Sequence, residues 1–318
     1  MLIGYHASHE QFPPSRLLRS AQLAEQAGFQ ALFSSDHFHP WSEAQGQSGF
    51  SFAYLSAALA TTKLPGRMIC CPGGRYHPAI VAQAAATIAE MFEDRFWLAV
   101  GSGQALNERI TGENWPPKDL RNARLRESVD VIRALWAGET VTHRGLVKVE
   151  EAKLYTRPKR TPLLIGAAVT EKTAEWVGGW ADGMITTSRA PKEAKKMVDA
   201  FRRGGGEGKP IYLKVGLCWA KTDDEARRLA YEQWRTPSFS NEVLTELRTP
   251  REFDEVAKHV RPEDLDQNLR ISGDFQRHID WLQADLDLGF EELILHNVGV
   301  NQEEFIEAFG KHVLPKLG

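Results

Sequence analysis

Asp36-His37, with Trp41 four residues beyond the histidine, is where the sequence most plainly gathers groups able to move a proton. A histidine titrates near neutral pH and serves as general acid or base. A neighbouring carboxylate tunes its proton affinity, and an indole adds a broad face and one N–H donor. The competing reading is a structural histidine at a strand end, with Asp36 capping a loop. A second cluster, Gly101-Ser102-Gly103-Gln104-Ala105-Leu106-Asn107-Glu108, follows an apolar run. Its small residues suit a phosphate-cradling turn, but it has neither the Walker lysine nor the dinucleotide glycine spacing. A tight turn between strand and helix is its bland reading. His37 and His39 form an H-x-H pair of the kind some barrels use for metal. Later strand ends carry Ala, Val and Thr rather than ligands, so no metal site is expected. Cys71 reads as an inert buried thiol, since no basic residue adjoins it.

These residues need a scaffold that brings distant segments to one place. Short apolar runs fall at Leu2–His6, Ala31–Ser35, Arg67–Cys71, Phe96–Val100, Leu163–Ala167, Gly183–Thr186, Ile211–Gly216 and Glu292–His296. Between them lie periodic Ala/Leu-rich segments such as Pro14–Gly28, Pro78–Phe92 and Leu120–Ala137, with proline where a helix begins and glycine where one ends. Strands alternating with helices imply a parallel sheet. Eight such units in a chain of 318 residues favour closure into an α/β (β/α)8 barrel over an open sheet, as one domain spanning residues 1–318. In that barrel the strand ends His6, Asp36-His37, Cys71, Gly101-Ser102, Ala168-Val169-Thr170, Thr186-Thr187, Gly216 and His296-Asn297 meet at the C-terminal mouth. Two stretches break the rhythm. Val141–Pro158 reads as a β-hairpin after the fourth strand, and Thr236–Ile271 as a helical insertion between the seventh and eighth.

Composition narrows the class of function. Lys plus Arg number 39 against 42 Asp plus Glu, a balance that argues against a nucleic-acid partner. No apolar stretch approaches the length of a membrane span, and the N-terminus lacks a signal-peptide pattern. Three cysteines, two of them adjacent, give no disulfide framework. A cytoplasmic protein acting on a small molecule is expected.

The chain resembles the luciferase-like superfamily of flavin- and deazaflavin-dependent oxidoreductases over essentially its whole length. Within it the resemblance is closest to the F420-dependent glucose-6-phosphate dehydrogenases and to a sister group that uses FMN-type flavin. It is carried by Gly4-Tyr5, Glu10-Gln11-Phe12, Ser35-Asp36-His37-Phe38, Pro40-Trp41, Arg75-Tyr76-His77-Pro78-Ala79, the Gly101–Glu108 cluster, Ala123-Arg124-Leu125-Arg126-Glu127-Ser128, Ala181-Asp182-Gly183 and Gly289-Phe290. The resemblance implies His37 as the base that takes the substrate hydroxyl proton. It implies Asp36 at the cofactor ring, Trp41 stabilising the reacting state, and a homodimer. It also implies a non-proline cis peptide at Met68–Ile69 behind the ring. Cofactor contacts would come from Met68, Ile69, Cys71, Gly101, Ser102, Gln104, Asn107, Ala168, Val169 and Thr170. Substrate contacts would come from Trp41, Thr187, Arg189 and Arg270.

Two departures shape the functional expectation. The family's proton-donating glutamate is Gln104 here, which can donate a hydrogen bond but not a proton at neutral pH. The sugar-phosphate clamp keeps Thr187. Ala190 stands at one of its lysine positions, beside Arg189, while Leu244 falls near the other and Asn268 near its arginine, with Arg270 close by. Losing fixed cations removes charge-assisted bonds to phosphate, so glucose 6-phosphate is not the expected substrate. The expectation is a flavin-dependent oxidoreductase passing hydride between a small organic substrate and FMN. F420-dependent dehydrogenation, FMN-dependent monooxygenation and a non-catalytic flavin-binding relative stand as alternatives.

Overall fold

The computed structural model describes residues 1–317. Eight parallel strands close on themselves: β1 (Leu2–Ala7), β2 (Ala31–Ser34), β3 (Gly66–Cys70), β4 (Phe96–Val100), β5 (Leu164–Ala167), β6 (Gly183–Thr187), β7 (Ile211–Trp219) and β8 (Glu292–Asn297). Each pairs with the next in chain order. The ring shuts through β6 on β7 (Ile185 opposite Tyr212), β7 on β8 and β8 on β1. This is the (β/α)8 barrel expected from the alternation. Helices begin where proline fixes φ at the first turn, as at Pro14 and Pro78. Helix Lys118–Ala137 ends on Gly138 at φ +91°, a left-handed position that glycine fills without strain. Among the described residues, no helix is long and apolar enough to cross a membrane.

Strand alternation sorts side chains into an outer layer under the helices and an inner layer filling the barrel. Phe33, Trp97, Ala99, Ile165, Ile185, Tyr212 and Ile294 form the inner cluster. Arg67 and Glu292 pair at its base, Nε to Oε2 at 3.2 Å, with the guanidinium 5.3 Å from the Trp97 ring. Continuing the same parity upward gives the small residues Cys71, Gly101, Ala167, Thr187 and Gly216, together with Lys214 and His296.

The hairpin is present as antiparallel strands Val141–Arg144 and Lys148–Ala152. The late insertion is helical at Asn241–Glu246 and Pro250–Ala257, with a tighter turn at Pro262–Gln267. It also carries an unexpected strand, Arg270–Ser272, paired in parallel with the Leu217–Trp219 overhang of β7. β7 therefore serves both the barrel and its annex. Three residues of strand leave no periodic trace in a sequence.

Two expectations at β3 are corrected. No peptide bond among the described residues is cis, so Met68–Ile69 is trans. The strand runs without interruption there, Met68 opposite Leu98 and Ile69 opposite Ala99. Alternation then sends the two side chains to opposite faces. Met68 packs in the layer beneath the helices, and only Ile69 lies against the barrel interior.

Candidate active site

His37 stands just beyond the end of β2, half-buried, its ring 4.7 Å from that of Trp41. The ring's Nδ1 is buried without a partner, and the side chain is 14% exposed. Nε2 lies 3.5 Å from Glu10 Oε1. Burial lowers the His37 pKa to about 4 despite the opposing pull of Glu10, with Arg75 and Lys214 lowering it further. The imidazole is therefore neutral at neutral pH and ready to accept a proton. Glu10 is itself buried, which raises its pKa, but the charge of a protonated His37, a backbone N–H and Lys214 outweigh this and shift it down. Its Oε2 accepts hydrogen bonds from Ser8 Oγ at 3.0 Å and Ser35 Oγ at 2.9 Å.

The partner of His37 is thus Glu10, from the loop after β1, and not the adjacent Asp36. Asp36 turns to Arg75, whose Nη2 donates to Oδ2 at 2.6 Å, while Tyr76 Oη donates to Oδ1 at 3.0 Å. The same arginine donates through Nη1 and its backbone N–H to Glu108, at 2.9 and 2.7 Å. One guanidinium so bridges two buried carboxylates beneath the histidine loop. Burial raises the pKa of both acids and Arg75 opposes it. Gly74 is required at this junction, because a Cβ there would sit 2.2 Å from Glu108 Oε2.

Asn107 ties the loops after β4 and β2 together. Its Oδ1 accepts from Phe38 N–H at 2.9 Å and His39 N–H at 3.3 Å, and His39 Nδ1 bonds to Leu106 O at 2.8 Å. Gln104 is half-buried beside it, its Oε1 3.5 Å from Asn107 Nδ2. Ser102 Oγ contacts Lys118 Nζ at 2.6 Å. Ala168 is buried, while Val169 and Thr170 are exposed at the rim, Thr170 capping helix Glu171–Gly178. Trp41 packs on Phe253, ring centres 5.3 Å apart. Leu106 joins them in a cluster to which Trp234, at the end of helix Asp223–Trp234, and Phe239, Leu244 and Leu247 of the insertion add. A hydrocarbon roof therefore lies beside the histidine.

Arg189 donates to Thr186 Oγ1 at 3.2 Å, Thr187 Oγ1 at 3.4 Å and Val169 O at 3.4 Å. Arg270 is closed in a two-pronged pair with buried Asp285, at 2.5 and 2.8 Å. Both line a groove of about 490 Å³ that excludes His37, Trp41 and Gln104. Arg270, expected at the substrate, is thus held by a carboxylate of helix Phe275–Leu286, on the outer side of the barrel annex.

The sequence reading gave no role to Lys214. It follows Tyr212 on β7 at inward parity, and its Nζ is 5.9 Å from the Trp234 ring. Trp234 stands 4.6 Å from His296, and His296 4.1 Å from His6. Burial and Lys214 keep His296 neutral, and burial and His296 do the same for His6. Both nitrogens of His6, and Nε2 of His296, are buried without partners. A lone lysine in an apolar strand was the available signal. Among the described residues, no three His, Cys, Asp or Glu side chains converge as metal ligands.

A flat ring fits this mouth. On the side of β3 to β6 the inward residues at the upper level are small, and a Cβ on Gly101 would meet only Ala167 Cβ, at 3.6 Å. Unpartnered ring nitrogens of His6 and His296 face the same interior.

The family model of luciferase-like monooxygenases matches residues 2–292. An F420-dependent glucose-6-phosphate dehydrogenase of Nakamurella multipartita is 36% identical over 325 residues, covering 99% of this chain and 96% of that protein. The counterpart from Microbacterium testaceum is 33% identical over 326 residues, with 99% and 96% covered. The solved structure of an F420-dependent secondary alcohol dehydrogenase in complex with an F420-acetone adduct matches with a TM-score of 0.92 at 30% identity, covering 100% of this chain and 99% of that one. A Streptomyces bottropensis monooxygenase, at 18% identity and a TM-score of 0.76, shares the fold. By sequence and by barrel, the chain belongs to the luciferase-like monooxygenase family and is an oxidoreductase.

Proposed function

We propose that this protein is an F420-dependent dehydrogenase of a small uncharged alcohol or its carbonyl counterpart, with His37 as the acid–base group. The observation that carries the reading is a neutral imidazole beside Trp41, with Nε2 3.5 Å from an ionised carboxylate and Nδ1 without a partner. A neutral imidazole keeps one ring nitrogen unprotonated, and that nitrogen is the one able to take a hydroxyl proton. The imidazolium so formed is stabilised by Glu10, so the site favours the proton-bearing state that forms during reaction. Trp41 bounds the position of the reacting carbon. Gly101, Ala167, Ala168 and Ile69 bound the ring, with Gln104 and Ser102 as polar contacts at its edge. The deazaflavin, when bound, supplies the hydride acceptor. An uncharged substrate is supported by the hydrocarbon roof around Trp41 and by Arg270 being committed to Asp285.

Gln104 favours a second reading with FMN in place of F420, because it cannot deliver the proton a glutamate would. Titration of the purified protein with F420 and, separately, with oxidised FMN, followed by fluorescence quenching, tests both. Tighter binding of F420, with turnover of secondary alcohols, is the expected result. Tighter FMN binding, with oxygen uptake when the flavin is reduced, would replace the dehydrogenase by a monooxygenase. Binding of neither would leave a non-catalytic relative. We also propose a homodimer in the cytoplasm, supported by the apolar groove of about 350 Å³ between helices Ser51–Thr61 and Pro78–Met91, where Phe50 and Ile80 are exposed. Light scattering on the Ile80→Asp variant, expected to be monomeric, checks it.

A further inference from the structure

Lys214 stands at inward parity on β7, its backbone opposite Thr187 of β6 and Ile294 of β8. Inward positions of a barrel strand are ordinarily filled by apolar side chains. Tyr212 fills the layer below, yet an ammonium takes the next inward place. It makes no hydrogen bond and no ion pair among the described residues. The Trp234 ring lies 5.9 Å from Nζ, at the outer limit of a cation–π contact. Glu10 is the acid whose field reaches Lys214. Both Glu10 oxygens are already engaged, Oε1 facing His37 and Oε2 accepting from Ser8 and Ser35.

On the neighbouring strands β8 and β1 lie His296 and His6, ring centres 4.1 Å apart and both almost wholly buried. Both nitrogens of His6 and Nε2 of His296 lack partners. Burial above all, with Lys214 contributing, keeps the two rings neutral, so each holds one N–H to donate. Buried polar groups are nearly always hydrogen-bonded. Around Arg75 this chain meets that rule with its own acids, Asp36 and Glu108. At the wall of β7, β8 and β1 an ammonium and two imidazoles stand unanswered among the described residues. Such donors suit a strong acceptor, best an anionic oxygen. A methyl group there would strip water from the ammonium and return nothing.

We propose that Lys214, with His296 and His6, receives an oxyanion carried on the end of the cofactor ring, and so selects a hydroxyl-bearing deazaflavin over FMN. This rests on the reading of the mouth as a site for such a ring. Gln104 and Ser102, after β4, stand across the barrel from β8, and their amide and hydroxyl suit the neutral donors and acceptors of the ring's pyrimidine edge. The opposite end of the ring then faces Lys214. F420 bears a hydroxyl at that end. Conjugated with the ring carbonyls, it behaves as an acidic phenol and readily becomes an oxyanion. FMN bears methyl groups there.

The test reads the ionisation of that hydroxyl. Absorbance of bound F420 is titrated against pH on the wild-type protein and on Lys214→Met. Dissociation constants for F420 and FMN are measured on both by fluorescence quenching, at a pH where the hydroxyl is ionised. A cation beside the hydroxyl favours its anion, so in the wild type it ionises about one pH unit or more below free F420. Lys214→Met returns it to the free value or above and weakens F420 roughly tenfold, the equivalent of one pKa unit. FMN binding is unchanged, which also shows that the variant is folded. Lys214→Gln, a donor without charge, gives an intermediate shift and serves if the methionine variant does not fold. His6, His9, His37 and His296 are neutral in this range and Glu10 is an anion in both proteins, so their difference isolates Lys214. An unshifted hydroxyl in the wild type, or equal weakening of F420 and FMN, would overturn the proposal and leave the cofactor reading intact. If FMN binds and F420 does not, the cofactor reading fails, and 8-hydroxy-FMN then judges the subsite. Tighter binding than FMN that Lys214→Met abolishes upholds it; no preference over FMN overturns it. If no ring binds, 4-nitrophenol is the probe. Bound phenolate that is lost in Lys214→Met upholds the subsite, and no binding by the wild type overturns it.

Discussion

The two halves of the barrel mouth are built on opposite electrostatic plans. Along β1 to β4, buried charge is answered from within: Arg75 lies between Asp36 and Glu108, and Glu10 takes two serine hydroxyls and faces His37. Along β5 to β8, Lys214 and Arg189 have no ion-pair partner among the described residues, and Trp234 with Phe239, Leu244 and Leu247 of the insertion stands in place of charge. The first half is pre-organised for proton transfer, since its donors and acceptors hold one another in place. The second presents adaptable surface, where changing a side chain alters what is bound without disturbing the base. Reaction type and substrate choice are thereby placed on different strands of one fold.

The largest effect should follow removal of the base. His37→Ala is expected to lower the rate of the hydride-transfer step by about 10²–10⁴-fold while the cofactor still binds, as measured by single-turnover absorbance. Unchanged turnover would move proton transfer to another group and erase the contrast between the halves.

Next comes the ion network beneath the histidine. Arg75→Met leaves Asp36 and Glu108 buried and unpaired, an expected loss of about 3–5 kcal/mol in urea unfolding. Burial already raises both acids' pKa values, and losing Arg75 raises them further. Protonation removes the unpaired charge, so the deficit should shrink as pH falls from 8 to 5. A deficit independent of pH would mean that the arginine acts through packing rather than charge.

The third effect is a displaced pH limb. With a His37 pKa of about 4, kcat/KM for alcohol oxidation should be flat near neutrality and fall only as pH approaches that value, where the base becomes protonated. Glu10 raises the His37 pKa, so Glu10→Gln should carry the limb to still lower pH. A limb that stays in place would show that Glu10 does not tune this base.

Much of the first half was legible in the sequence, and less of the second. Each of the eight barrel strands coincides with an apolar run, because a parallel strand buried on both faces reads as continuous hydrophobicity. His37 and Trp41 were found through residue type. The partnership of His37 with Glu10 was not, because neighbours in sequence, such as Asp36, point away from one another at a strand end. Lys214 needed strand parity to be read as an inward charge. The short strand Arg270–Ser272 exists only because β7 overhangs the barrel, a tertiary cause with no local pattern.

The smallest effect is the most discriminating for substrate choice. Arg189 makes long hydrogen bonds to Thr186, Thr187 and Val169 and no ion pair. For an uncharged alcohol, Arg189→Met should change KM by less than about threefold, since replacing a neutral contact costs roughly 0.5–1 kcal/mol. For a phosphorylated sugar the same change would remove a charge-assisted bond and raise KM by tenfold or more. Measuring KM for a secondary alcohol and for glucose 6-phosphate on both proteins decides the matter. A tenfold rise with the sugar phosphate, together with wild-type turnover of it, would restore an anionic substrate and show that the hydrocarbon roof does not govern specificity. A flat KM for the alcohol and no turnover of the sugar phosphate would assign selection to Trp41, Phe253 and the leucines of the insertion.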